Sequence, residues 1–278
     1  LFFFYKAIVV EFPEANHRRY AYLVFFLPSM LYWPSSIGKE AWICFGLGLA
    51  SYGIALITRH HPLGYPLAGL GLLATAGPRP HITVLCVVSL MLAFLLRRRS
   101  WRDSTLGPVG KVVGIVVLMA VGVAVVSKAA SFFEVDSVSG DSVTEVLDYA
   151  GKQSGQGGSE FEAVRPKSPS EFPSAVLAVL FRPWPWEASS SQALIASAEG
   201  TVLLVLGAAS VKQLMRLPKY LFQVPYVAYA LTYTVMFVIA FSSIGNFGIL
   251  TRQRTQVLPL VLVLLVLPRD TKTLDEEA

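Results

Sequence analysis

The chain has 278 residues, of which 54% are hydrophobic and only 15% charged, with a mean hydropathy of +0.57. A soluble domain of this size carries more polar surface than that, so composition excludes an ordinary soluble enzyme and points to an all-α, polytopic helical membrane protein. The basic excess, 23 Lys and Arg against 18 Asp and Glu for a net charge of +5, lies mostly in short runs between apolar segments, a distribution that directs membrane insertion and not nucleic-acid binding.

Leu1-Phe2-Phe3-Phe4-Tyr5-Lys6 opens in mid-pattern, which leads us to expect further spans upstream; no cleavable signal peptide is recognisable. A spanning helix needs about twenty apolar residues. Several segments here are shorter, so tilted, broken or re-entrant pieces are expected. Residues 1–10 read as an amphipathic or interfacial helix before the basic turn Asn16-His17-Arg18-Arg19. Apolar stretches follow at 20–33, closed by Pro34, and at 41–58, 63–77, 82–96 and 111–130. Between the last two lies Arg97-Arg98-Arg99-Ser100-Trp101-Arg102, the strongest basic cluster. Residues 131–172 are the long polar segment, with eight acids against three bases and a Gly/Ser/Gln-rich centre at 151–159 that should be flexible.

Residues 173–187 are apolar but too short to span, and read as a re-entrant or interfacial helix ending at Arg182-Pro183. Stretches 192–210 and 225–244 are expected to cross, 246–254 is a polar turn, and 257–267 crosses to the acidic tail Asp275-Glu276-Glu277. This gives about eight spans plus the re-entrant piece. The expected organisation is an N-terminal membrane bundle (1–130), an extracytoplasmic acidic loop (131–172), a re-entrant motif with a C-terminal bundle (173–267) and a cytoplasmic tail (268–278). Cys44 and Cys86 sit inside apolar segments without metal-ligand spacing and read as small buried hydrophobes.

Alternate turns differ in Lys and Arg content, and the positive-inside rule places Arg18, Arg19, Arg59, the cluster at 97–102 and the bases at 212–219 in the cytoplasm. Lys39, Arg79, Arg182, Arg252 and Arg254, with His81, then fall on the opposite side, at the ends of spans. For any one of them the ordinary reading is a snorkelling cation paired to Glu40, Glu187 or a lipid headgroup. As a set they point to a site for an anionic ligand, because guanidinium groups bind phosphate oxygens in a bidentate fork. Trp184 and Trp186 suit a membrane-water interface and also suit stacking on sugar rings. Glu199 is an acid inside a span; it pairs across the bundle or lines a watered cavity. His17, His60 and His61 read as surface-turn residues.

Three stretches carry a family likeness: Tyr32-Trp33-Pro34-Ser35-Ser36-Ile37-Gly38-Lys39-Glu40, Phe181-Arg182-Pro183-Trp184-Pro185-Trp186-Glu187, and Phe241-Ser242-Ser243-Ile244-Gly245-Asn246-Phe247-Gly248-Ile249-Leu250-Thr251-Arg252-Gln253-Arg254. With these in view the chain, over 12–267, resembles bacterial oligosaccharide repeat-unit polymerases, the O-antigen-polymerase-like membrane proteins, of actinobacterial type. The resemblance implies a GT-C-like fold in the bacterial plasma membrane. It also implies joining of repeat units carried on polyprenyl pyrophosphate at the outer leaflet, with no cofactor and no essential metal. Such polymerases usually have ten or more spans. Mapped onto this sequence, Arg182, Arg252 and Arg254 would hold the pyrophosphate, with Lys39 and Arg79 as further candidates and Trp184 and Trp186 beside the sugars. Partners implied are the lipid-linked glycan, membrane lipids and other polysaccharide-assembly proteins.

Glycosyl transfer from such a donor needs stabilisation of the leaving diphosphate and an acceptor for the attacking hydroxyl's proton. For the acceptor the sequence offers Glu187, then Glu40, then His81, and a single base opposite the leaving group implies inversion. No DxD pair, P-loop, GxSxG or zinc motif occurs, which argues against nucleotide-sugar, ATP-driven and serine-hydrolase chemistry. Two other readings remain: a GT-C glycosyltransferase using a polyprenyl-monophosphate sugar, and a non-enzymatic transporter of lipid-linked glycans, which Glu199 in a watered cavity would favour.

Overall fold

The computed structural model describes residues 1–36, 38–96, 151 and 159–268. The basic cluster at 97–102, the apolar stretch 111–130, the acidic loop before Ser159 apart from Gly151, and the tail from residue 269 lie outside the described residues. Regular structure among the described residues is helical. In chain order the helices are α1 (Phe2–Glu11), α2 (His17–Phe26), α3 (Pro28–Ser35), α4 (Lys39–Thr58), α5 (Gly64–Ala76), α6 (Pro80–Leu96) and α7 (Phe172–Phe181). There follow α8 (Ser191–Ala209), α9 (Val211–Leu214), α10 (Leu217–Gln223), α11 (Pro225–Phe241), α12 (Phe247–Arg254) and α13 (Leu258–Leu264). Single 3-10 turns lie at Pro169–Glu171 and Pro185–Glu187, and an isolated antiparallel bridge joins Glu160 to Asn246.

Helix α11 forms the centre. Its residues Tyr226, Tyr229, Tyr233, Phe237 and Phe241 recur at three- and four-residue spacing, so they line one face, and all five are buried. Consecutive rings lie 5.9, 6.2, 6.3 and 4.2 Å apart. On this face the Tyr229 hydroxyl lies 3.5 Å from Ser51 Oγ of α4 and 3.2 Å from Cys86 Sγ of α6. Polar contacts of this kind between helices contribute about 0.6–2 kcal/mol each in a bilayer. They place Cys86 as a core residue, and both cysteines are free and buried.

Small residues bring α4 and α5 together. A Cβ on Gly53 would lie 2.3 Å from the Ala68 nitrogen, and one on Gly71 would lie 2.3 Å from the Ala50 nitrogen. Without those glycines the two backbones could not approach so closely, which is how helices pack where lipid removes the hydrophobic drive between them.

The expectation of about eight spans does not hold among the described residues. Only α4 and α8 are long and apolar enough to cross a membrane alone, and α10 with α11 qualifies only as a pair bent by 117° at its break. Helix α5, with 13 residues, is about 20 Å long against a hydrocarbon core of about 30 Å. The expected crossing at 20–33 is broken because Leu27, the residue before Pro28, is held out of the helical region and takes ψ 134°. The expected crossing at 257–267 is a seven-residue helix buried in the bundle, from Val257 at 0% exposure to Leu267 at 3%. Helix α1, expected at an interface, packs Phe4, Ala7 and Ile8 inward beside α4. Helix α8 turns Leu194, Ile195, Val202 and Val205 outward, as a lipid-facing helix does.

The 20 residues of α4 make a helix about 30 Å long, so its two ends are separate polar environments. At the Thr58 end, Thr58 donates to the Glu11 carboxylate and Arg59 to the Glu11 carbonyl. At the other end, Glu40 meets the candidate cations.

Candidate functional site

The expected polar turn at 246–254 is helical. Asn246 caps it, its Oδ1 accepting from the Ile249 N–H at 3.1 Å, and an Asn able to cap is the start signal inside what looked like a loop. Helical geometry decides the roles of the two arginines it carries. Residues two apart lie about 200° apart around the axis, so Arg252 and Arg254 leave α12 in opposite directions and join different neighbours.

Arg252 faces Glu40. Arg79 Nη2 donates to Glu40 Oε1 at 3.0 Å, and Arg252 Nε lies 3.1 Å from the same oxygen without aligning its N–H on it. Two guanidinium groups thus share one carboxylate oxygen, leaving one positive charge uncompensated among these three groups. The Arg79 and Glu40 side chains are 11% and 9% exposed, whereas Arg252 is 40% exposed. Lys39, one residue before Glu40, is exposed and has no ionic partner among the described residues. His81 follows Arg79 by two residues, and its ring lies 6.4 Å from that of Phe241.

Arg254 faces the other way and is 1% exposed. Its Nε donates to the Val179 carbonyl at 3.0 Å and its Nη2 to the Arg182 carbonyl. Those oxygens belong to the end of α7, where helical carbonyls lack partners and a cation is favoured. The expected role of Arg254 as a phosphate ligand therefore sits on a side chain committed to holding α7. Helix α8 supports the same joint: a Cβ on Gly200 would lie 2.2 Å from the Phe181 oxygen.

Arg182, placed just past α7, grips Glu187. Its Nε lies 3.1 Å from both carboxylate oxygens, and its Nη2 donates to Oε1. Glu187 Oε2 also accepts from the Trp184 N–H at 2.9 Å, while the Glu187 N–H returns to the Trp184 carbonyl at 2.9 Å. Burial alone would raise the Glu187 pKa; the hydrogen bonds from Arg182 and the Trp184 N–H, with the Arg182 charge, outweigh it and hold the carboxyl below its ordinary value. A carboxylate so held is a weak proton acceptor. Trp184 and Trp186 stack at 5.9 Å and 22°, with Trp186 80% exposed.

Sequence reasoning missed the rest of the Arg182 environment. Its plane covers the Phe161 ring at 4.4 Å and approaches Phe247 at 5.4 Å, and its Nη1 donates to the Glu162 carbonyl at 3.3 Å. The available signal was Phe161 itself, an apolar ring between Glu160 and Glu162. Glu199, unplaced by sequence, accepts from Ser29 N at 2.6 Å and Ser29 Oγ at 2.5 Å. It caps the first turn of α3 from another helix and is 4% exposed, which is the cross-bundle pairing, one of the two placements the sequence left open for it. No three His, Cys, Asp or Glu side chains come together as a metal site among the described residues. Comparisons with protein-family models, curated proteins and solved structures find no match.

Proposed function

We propose that the chain is a membrane-embedded polymerase of polyprenyl-pyrophosphate-linked oligosaccharide repeat units, working at the outer face of the bacterial plasma membrane with its C-terminus in the cytoplasm. What carries the reading is the unequal charge around Glu40: Arg79 and Arg252 share one oxygen, and the Arg252 side chain is 40% exposed. An unpaired cation at the end of a membrane bundle is costly unless an anion completes it. A diphosphate on a lipid carrier supplies that anion, with Arg252 and Lys39 on its exposed side and Arg79 behind. Arg182, on the Arg254 side of α12, adds a further cation.

The leaving diphosphate is stabilised by these groups, which are already in place before charge develops. Glu187 anchors Arg182. Glu40, beside the two guanidiniums that face the ligand, is the proton acceptor in this reading.

The test is the lipid-linked intermediate pool in cells that depend on this protein. Arg252→Ala and Arg79→Ala should each accumulate single repeat units on the lipid carrier and shorten the polymer. Normal chain length in both variants would remove the polymerase reading.

A further inference from the structure

Every nitrogen of the Arg182 guanidinium is engaged. Nε and Nη2 hold Glu187, Nη1 donates to the Glu162 carbonyl, and the ring of Phe161 covers the face. The last two contacts come from residues 159–162, a short strap laid along the start of α12. Phe161 N–H donates to the Gly245 carbonyl at 2.9 Å, and Phe247 N–H to the Ser159 carbonyl at 3.1 Å. Phe161 stacks on Phe247 at 4.2 Å and 8°, and Ser159 Oγ reaches Asn246 Oδ1 at 3.3 Å.

The strap lies on the surface, with Glu160 and Glu162 exposed. Two main-chain hydrogen bonds, one side-chain hydrogen bond and one ring stack, besides the contacts with Arg182 itself, are the kind of surface attachment that opens locally while the rest of a fold stays closed. Its charge is negative, so an incoming diphosphate repels the strap and competes for the same guanidinium.

We infer that residues 159–162 are a built-in competitor for Arg182: the strap takes Nη1 and the guanidinium face in the unliganded protein, and a diphosphate ligand displaces it. This rests on the reading in which Arg182 helps bind the diphosphate. It makes the apparent affinity depend on the fraction of molecules with the strap released.

A reversible lock tests it. Glu160 and Asn246 face each other across the bridge, with the hydrogen bonds on either side of them, so their Cα atoms are about 4.5 Å apart. That separation accepts a disulfide. The double variant Glu160→Cys with Asn246→Cys is reconstituted in lipid nanodiscs, and binding of farnesyl diphosphate is measured oxidised and then reduced. Comparing one variant in two redox states cancels the loss of the Asn246 cap. Binding weaker by about tenfold or more when oxidised, and restored by reductant, is the expected result. Equal binding in both states overturns the strap while leaving the diphosphate reading intact. Absence of binding in both states and in the unmodified chain overturns both together.

Discussion

Arg254 donates to the main-chain oxygen of Arg182, so a fully buried guanidinium carries the backbone of an arginine of the candidate site. Removing it leaves the Val179 and Arg182 carbonyls without their donor, at about 1–3 kcal/mol for each unsatisfied group. Arg254→Met and Arg254→Lys should both lower the unfolding temperature in detergent, since an ammonium lacks the planar fork that spans two carbonyls. Arg252→Ala, at an exposed ion pair, should change stability by less than about 1 kcal/mol. Thermal unfolding of the three side by side decides the matter; equal midpoints for Arg254→Lys and the unmodified chain would show that Arg254 does not clamp α7.

A methyl group separates two glycines of α8. Gly200→Ala places a Cβ against the Phe181 oxygen, whereas Gly207→Ala meets nothing within 4 Å. The first should destabilise by about 1–3 kcal/mol as overpacking. The second should stabilise slightly, because alanine is the better helix former by up to about 1 kcal/mol. The readout is again thermal unfolding, and similar effects from both would mean that α7 does not sit on α8 as described.

How far these features could be read from sequence depends on where side-chain direction enters. Apolar length alone located α4 and α8 to within two residues at each end, and the alternation of Lys and Arg between turns put Arg79 and Arg252 into one set with Lys39, Arg182 and Arg254. Length could not tell lipid from protein, however. The run at 257–267 is apolar because it is buried among other helices, and hydropathy is the same in either surrounding. Arg252 and Arg254 were indistinguishable as members of a turn. Once Asn246 starts a helix they point opposite ways, one to an exposed ion pair and the other to two backbone carbonyls. The contact of Phe161 with Arg182 joins residues 21 apart in sequence through a tertiary packing that no local pattern records.

Glu199 and Ser29 form a cap between helices, with two donors converging on one carboxylate. Glu199→Gln keeps one acceptor oxygen but turns an amide toward the second donor, so a loss of about 1–3 kcal/mol is expected. Ser29→Ala removes the hydroxyl and retains the N–H. Because the groups touch, the double variant should lose less than the sum of the singles, with a coupling of about 0.5–3 kcal/mol. Additive losses would separate Glu199 from α3 and return it to the list of groups facing a path through the bundle.

Glu187 sets the acid limit of the Arg182 joint. Its folded pKa lies below the unfolded one, so its contribution to stability is complete above the ordinary glutamate value of about 4.3 and disappears as the pH falls through the lower folded value. Glu187→Gln should therefore be less stable than the unmodified chain at neutral pH, with the gap closing only below that value. The same depression bears on chemistry. A carboxylate held ionised below its ordinary value cannot produce a rate limb near neutral pH, so any neutral limb in a pH-rate profile of repeat-unit joining should persist in Glu187→Gln even if the overall rate falls. Loss of that limb in the variant would restore Glu187 as the proton acceptor and displace Glu40.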